Sequence, residues 1–150
     1  MKHSAYNYCI FLLSKREYSV KSITDKMKQK EISEKEIEET IKKLINLKYL
    51  DDKRFADVFV RSKSQNQKWG EKRIKMELFL KHDIKNETVD EIISDNNIDF
   101  NHERVSCYIK KYGNTLPEEP KEYQKRMSFL ARKGHQPKIP SQEEIDIFNN

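Results

Sequence analysis

The side chains best equipped to do chemistry in this chain are cationic, and they cluster. Between Arg61 and Lys81 seven positive residues stand against two negative ones, and between Lys121 and Lys138 six stand against one, so each segment carries +5. A guanidinium bridges a carboxylate or a phosphate with two parallel bonds, whereas an ammonium acts as a point charge. Arg73, Arg126 and Arg132 are therefore the first candidates for specific partner contact. Arg61, Lys68, Lys72, Lys81, Lys125 and Lys133 stand around them. Such segments suit an acidic, phosphate-lined partner at long range. The bland alternative is that they are ordinary solvated helix faces. Lysine outnumbers arginine 23 to 7, a bias that genome composition alone can produce, so the arginines and the local clustering carry more weight than the total of +5.

Other reactive residue types do not assemble into a site. Cys9 and Cys107 are far apart, match no ligand or redox spacing and sit in apolar stretches, where buried thiols behave as small hydrophobes. The four histidines, His3, His82, His102 and His135, show no i, i+4 pairing of the kind that binds a metal from one helix face. Asp51 and Asp52 are better explained as a helix cap and a first-turn charge than as an acidic metal site, which needs several convergent carboxylates. Trp69 takes the place of Tyr18 in a repeat described below, and packing there is preferred over stacking on a base. No nucleophile–base constellation, glycine-rich phosphate loop or carboxylate pair is present. The expectation is a non-enzymatic protein without cofactor or metal.

The elements that must position these residues are helices. Apolar residues make up 35% of the chain and charged residues 37%, with three glycines and four prolines. That is a thin core with few turn residues, which argues against strands and for an elongated helical array. Tyr6, Ile10 and Leu13 share one helical face. Ser19 caps a stripe of Val20, Ile23 and Met27. Ser33 and Glu36 form a Ser-x-x-Glu capping box ahead of Ile37, Ile41 and Leu44. The order then restarts. Asp51 caps a helix with Phe55, Phe59 and Val60, Trp69-Gly70 precede Ile74 and Leu78, and Asn86 caps Val89 and Ile93.

The offset is 51 residues for Tyr18 to Trp69, Ile23 to Ile74 and Met27 to Leu78, and 52 for Ile32 to Ile84 and Ile37 to Val89, which places one inserted residue near His82. A third copy is looser. Asn101 caps Val105, Tyr108 and Ile109. Gly113 to Pro120 forms a loop, and Phe129, 51 after Leu78, restores the register. Gly134 ends the second helix in a left-handed conformation. Ser141 and Glu144 cap a short last helix that is expected to fray. The reading is all-α: three tandem three-helix repeats in an elongated, curved array, divided 1–50, 51–100 and 101–150.

Four stretches carry a family resemblance. Tyr49-Leu50-Asp51-Asp52-Lys53-Arg54-Phe55-Ala56 resembles the RecX signature Gly-Tyr-Leu-Asp-Asp-x-Arg-Phe-Ala, with Lys48 in place of the glycine. Leu12 to Ser19 is similar to the opening Leu-Leu-Ser-x-Arg-Glu-Tyr-Ser of that family. Trp69 to Leu78 resembles Gly-x-x-Arg-Ile-x-x-Glu-Leu, and Phe129 to Gly134 resembles the Arg-Arg-Gly end of the last unit's second helix. In order and at the right distances, they cover most of residues 5–135. Family units close their second helix with Lys-Gly-aliphatic. Here Lys30-Glu31-Ile32 and Lys81-His82-Asp83-Ile84 lack the glycine, so those turns are expected to be less tightly fixed.

The resemblance implies a regulator, mainly an inhibitor, of the RecA recombinase. It would lie in the groove of the RecA filament assembled with single-stranded DNA and ATP, and modulate ATPase, strand exchange and co-protease activity in DNA repair and the SOS response. Deleting residues 101–150 would then weaken inhibition sharply. Weak non-specific DNA binding and a monomeric state are further expectations. Without a signal segment or an apolar run of about 18 residues, the location expected is cytoplasmic. A helix-turn-helix DNA-binding protein and a helical scaffold with another partner are the competing readings. Against the first, no second helix reads as a polar recognition helix, since Ile74, Leu78 and Phe79 are apolar.

Overall fold

The computed structural model describes residues 4–150, so of the four histidines His3 lies outside the described residues. Among the described residues there are nine α-helices and no strand: α1 (Ala5–Leu13), α2 (Val20–Gln29), α3 (Glu34–Asn46), α4 (Asp52–Gln65), α5 (Glu71–His82), α6 (Asn86–Asp95), α7 (Phe100–Tyr112), α8 (Pro120–Lys133) and α9 (Gln142–Asn149). They pack in threes. Ala5, Cys9, Ile23, Met27, Ile37 and Leu44 fill the centre of α1–α3. Phe55, Ala56, Val60, Ile74, Leu78, Val89 and Ile92 fill that of α4–α6. Cys107, Tyr108, Leu130, Ile139 and Ile145 fill that of α7–α9. Residues paired by the offset are buried alike: Ile23 with Ile74 and Met27 with Leu78 at 0% exposure, Tyr18 with Trp69 at 6% and 8%. The molecule exposes 9948 Å², against about 8,100 Å² for a compact monomer of its mass. That excess belongs to an elongated array of small cores.

Caps explain where most helices begin. The Ser19 hydroxyl accepts from Ser22 N–H, Asp51 accepts from Lys53 and Arg54, and Ser141 and Glu144 exchange both bonds of a capping box. Three expectations change. Asp99, two residues before Asn101, takes the cap role and accepts from Asn101 and His102 N–H at 3.0 and 3.2 Å. Asn86 lies inside α6, whose cap position is Lys85 with no side-chain bond. Ser33 accepts from Glu36 at 3.2 Å, but the Glu36 carboxylate turns away and accepts from Ala5 N–H of α1 at 3.4 Å, so only half of that box forms.

The turns closing each second helix are alike despite the missing glycines. Glu31 and Asp83 occupy the left-handed region at φ 59° and 58°, and Gly134 does so at 96°. Beyond them, Ile32, Ile84 and His135 donate to Met27, Leu78 and Leu130. Leu130, at 0% exposure, is thus the partner of Leu78, not Phe129, and the offset of the third unit is 52. The turns in the first two units are therefore built to the same plan, with strain in place of glycine: a non-glycine left-handed residue costs roughly 1–2 kcal/mol. Lys48, where the family signature has glycine, is also left-handed at φ 64°.

The signature stretch is a joint. Val20 N–H of α2 donates to Asp52 Oδ1 of α4 at 2.8 Å, and burial holds the Asp52 carboxyl above its ordinary range against that bond. The Arg54 guanidinium reaches Glu17 Oε1 at 2.7 Å and the carbonyls of Lys48 and Tyr49 at 3.0 and 3.1 Å, closing the end of α3. Ser19 Oγ and His82 Nδ1 lie 2.7 Å apart across the same seam. Leu50, Phe55 and Ala56 are buried there, whereas Tyr49 is 47% exposed.

A second joint links α5 to the end of α8. Gly70, at the N-cap position of α5, has no capping side chain. Its N–H instead donates to Lys133 O at 2.7 Å, and Lys72 N–H donates to Gly134 O at 3.2 Å. The negative end of one helix dipole meets the positive end of another. His135 Nε2 lies 2.8 Å from Lys68 O beside them.

The last helix is anchored more firmly than expected of a fraying end. Arg104, at 2% exposure, donates to Lys138 O, Asn101 Oδ1 and Glu144 Oε2 at 2.6, 2.8 and 2.6 Å, and Ile145 is buried.

Candidate functional site

The second joint brings the two basic segments face to face. Lys72 and Arg73 start α5, and Arg132 and Lys133 end α8. Together with Met76, Glu77, Phe129 and Gly134 they line an open cleft of about 830 Å³. Arg73 lies over Trp69, guanidinium carbon 3.8 Å from the ring centroid, and donates to Arg132 O at 3.5 Å. Lys133 Nζ donates to Gln67 O at 3.2 Å. Trp69 is thus packing, as its place in the repeat suggests, and its face is covered by Arg73 and by Lys63 at 4.7 Å. Among the described residues no ion pair involves Lys72, Arg73 or Arg132, so their charges remain available.

The other sequence candidates lie elsewhere. Arg61 pairs with Asp57 on its own helix at 3.0 Å, and Lys81 pairs with Glu77 at 3.0 Å. Lys68 is drawn into the joint: it is left-handed at φ 58° and its ammonium meets Glu103 at 3.2 Å. Arg126 is held inside the third unit by Glu122 at 3.1 Å, Tyr108 Oη at 2.7 Å and Thr115 O at 2.9 Å. That geometry makes it a strut that closes the Gly113–Pro120 loop onto α7. Lys125 is exposed on α8 and does not line the cleft.

The cleft is equipped for binding and not for proton transfer. At the start of α5, where a helix N-terminus often offers its amides to an anion, those of Gly70 and Lys72 are already taken by the carbonyls of Lys133 and Gly134. The walls of the cleft add side-chain cations and the hydrocarbon of Met76 and Phe129. Elsewhere, burial pushes the Cys9 thiol up to about 11 and raises that of Cys107, which leaves both as inert thiols. Burial lowers His82 and His135, so both are neutral joint residues. Among the described residues no group of three or more His, Cys, Asp or Glu is placed to hold a metal ion, and no helix is long and apolar enough to cross a membrane.

Two features escaped the sequence reading. Arg104 organises α7, α9 and the Lys138 loop, but Lys138 and Glu144 lie 34 and 40 residues away and no local pattern announces them. The outer face of α5 is apolar: Met76, Phe79 and Leu80 are 50%, 56% and 68% exposed. Phe79 therefore faces solvent, not the core. The uninterrupted Leu78-Phe79-Leu80 run, too apolar for a one-sided surface helix, was the available signal.

Comparison with known proteins places these features in a family context. Residues 5–44 match the description "RecX, first three-helix domain" and residues 51–91 match "RecX, second three-helix domain". The chain is 39% identical over 108 residues to the regulatory protein RecX of Mannheimia succiniciproducens, covering 72% of this chain and 70% of that one. It is 33% identical over 130 residues to the regulatory protein RecX of Chlorobium phaeobacteroides, covering 87% and 84%. The crystal structure of RecX from Lactobacillus salivarius superposes with a TM-score of 0.69 at 25% identity, over 97% of this chain and 92% of that chain.

Proposed function

The chain belongs to the RecX family of regulatory proteins, and from that premise we propose that it regulates a RecA recombinase, chiefly as an inhibitor, by lying in the groove of the RecA–DNA filament. The observation that carries this reading is the convergence of Lys72, Arg73, Arg132 and Lys133, from two successive units, on one open cleft. Units covering 1–50, 51–100 and 101–150 each supply modest contacts, and joints made of backbone and buried side chains hold them in fixed relation. A chain of such units adds its contacts through high effective concentration. Bound across more than one protomer of a filament formed with single-stranded DNA and ATP, a monomer occupies the groove needed by a second DNA or by a cleavable repressor. ATPase, strand exchange and co-protease activity fall together. Its site of action is then the cytoplasm. Weak, sequence-independent affinity for DNA assists docking.

The test is charge reversal in the full chain. Lys72→Glu with Arg132→Glu is expected to raise the concentration needed to inhibit the DNA-dependent ATPase of RecA by about tenfold or more, about 1.4 kcal/mol. Arg61→Glu and Lys125→Glu serve as controls and change it little. Equal inhibition by the double variant and the wild type would remove the cleft from the mechanism.

A further inference from the structure

We propose that the outward face of α5 is a docking surface for an acidic protein segment that inserts apolar side chains, and not for nucleic acid. This rests on the reading that the α5–α8 side of the molecule meets the partner.

The repeat supplies an internal control. Met76, Phe79 and Leu80 occupy positions filled in α2 by Asp25, Lys28 and Gln29, 51 residues earlier, and in α8 by Ser128, Ala131 and Arg132, 52 residues later. The same place in the same small fold is thus polar or small at every other position, and the middle unit alone exposes three large apolar side chains, at 50%, 56% and 68%. Fold requirements do not explain them, because the inward face of α5 is already completed by Ile74 and Leu78 at 0% exposure. Contiguous exposed apolar surface rimmed by polar groups marks a protein interaction site.

The surroundings fix the chemistry of the occupant. Met76 and Lys72 form a ridge between the basic cleft and a second hollow of about 320 Å³ lined by Lys72, Lys75, Met76, Phe79 and Asn86. Lys75 is neutralised by Asp90 and Glu71 at 2.6 and 3.0 Å. Lys72, Arg73 and Arg132 keep their charge at the rim. An apolar centre with a cationic rim complements a segment with apolar anchors and flanking carboxylates. It suits phosphate poorly, since the specific surfaces that hold nucleic acid are polar and strongly basic.

The experiment replaces the face with that of the first unit: Met76→Asp, Phe79→Lys and Leu80→Gln together, which leaves net charge unchanged. Phe79→Ala alone is the milder companion, and circular dichroism checks that both retain their helices. Binding is measured to RecA filaments on single-stranded DNA and to that DNA alone, each at low and high salt. The expected result is a Kd for filaments at least about tenfold weaker in the triple variant, as for loss of central apolar anchors, with affinity for naked DNA unchanged. The loss persists at high salt, whereas that of Lys72→Gln with Arg132→Gln shrinks as salt screens it. Wild-type affinity for filaments in the triple variant overturns the inference while the regulatory reading stands. Equal loss on naked DNA also overturns it, because nucleic acid is then the occupant. Failure of the wild type to bind filaments removes the regulatory reading itself.

Discussion

Replacing Gly70 with alanine should open the joint on which the cleft depends. Its backbone is extended, at φ −83° and ψ 168°, so alanine meets no conformational penalty there. The obstacle is contact: a Cβ at Gly70 would overlap the carbonyl carbon and oxygen of Gly134 and the amide nitrogen of His135. All three are backbone atoms, and no side chain can swing aside. Restoring ordinary carbon contact separates the two chains by about 1 Å. That breaks Gly70 N–H to Lys133 O and Lys72 N–H to Gly134 O, now 2.7 and 3.2 Å. Two backbone bonds are together worth about 2 kcal/mol, and retaining them under strain costs about 1–3 kcal/mol. Either way the loss is about 1–3 kcal/mol, or a fall in Tm of roughly 2–12 °C for a chain of this size. Urea unfolding measures the total, and hydrogen exchange locates it, with faster exchange at Gly70, Lys72 and His135. Gly113→Ala is the comparison. It is opposed by φ 70° but meets nothing within 4 Å, so it destabilises without loosening those three amides. A Gly70→Ala protein within about 0.5 kcal/mol of wild type, with unchanged exchange at the joint, would refute the reasoning.

Lys48→Gly should stabilise the chain by about 0.5–1 kcal/mol in urea unfolding, because relief of the left-handed strain at φ 64° exceeds the extra entropy glycine loses. Arg104→Ala leaves Glu144 half-buried without its guanidinium and should cost about 3 kcal/mol, read as unfolding free energy and as faster exchange throughout α9. Burial opposes ionisation of Glu144, but the Ser141 amide and Arg104 outweigh it and hold its carboxyl below the usual range. Its contribution is therefore full above the unfolded value of about 4.3 and is lost as pH falls through the lower folded value. The acid limb of a stability–pH curve should flatten in Arg104→Ala. Burial depresses His82 and His135, so both must charge on unfolding in mild acid. Stability should be full above about pH 6.5 and fall as pH drops from there through the folded values, less so in His82→Gln.

What could be read from the sequence followed from short-range pattern. The offset of 51 paired Ile23 with Ile74 and Met27 with Leu78 because one buried stripe per helix repeats in each unit. Ser19, Asp51 and Ser141 were legible as caps because a cap needs only its own first turn. Gly134 was legible as a stop because only glycine is at ease there. The misreadings are tertiary. Phe129 and Leu130 are adjacent and both apolar, and only the bond from His135 to Leu130 shows which one faces the core. Glu36 fits a capping box but is captured by α1. Of the cation clusters, charge alone could not separate Lys72 and Arg132 at the cleft from Arg126, which is consumed by Tyr108 and Thr115. The apolar face of α5 was visible as residues but not as exposed, because a helix in the middle of an array has two neighbours against which such residues could have packed.

The claim that the α5–α8 side faces a RecA filament is tested most directly by hydrogen exchange of the full chain, free and bound to filaments on single-stranded DNA. Amides of α5 and of the last turns of α8 should gain protection on binding, with the outer surface of α3 unchanged. Protection confined to α1–α3, or none anywhere at saturating filament, would contradict the account.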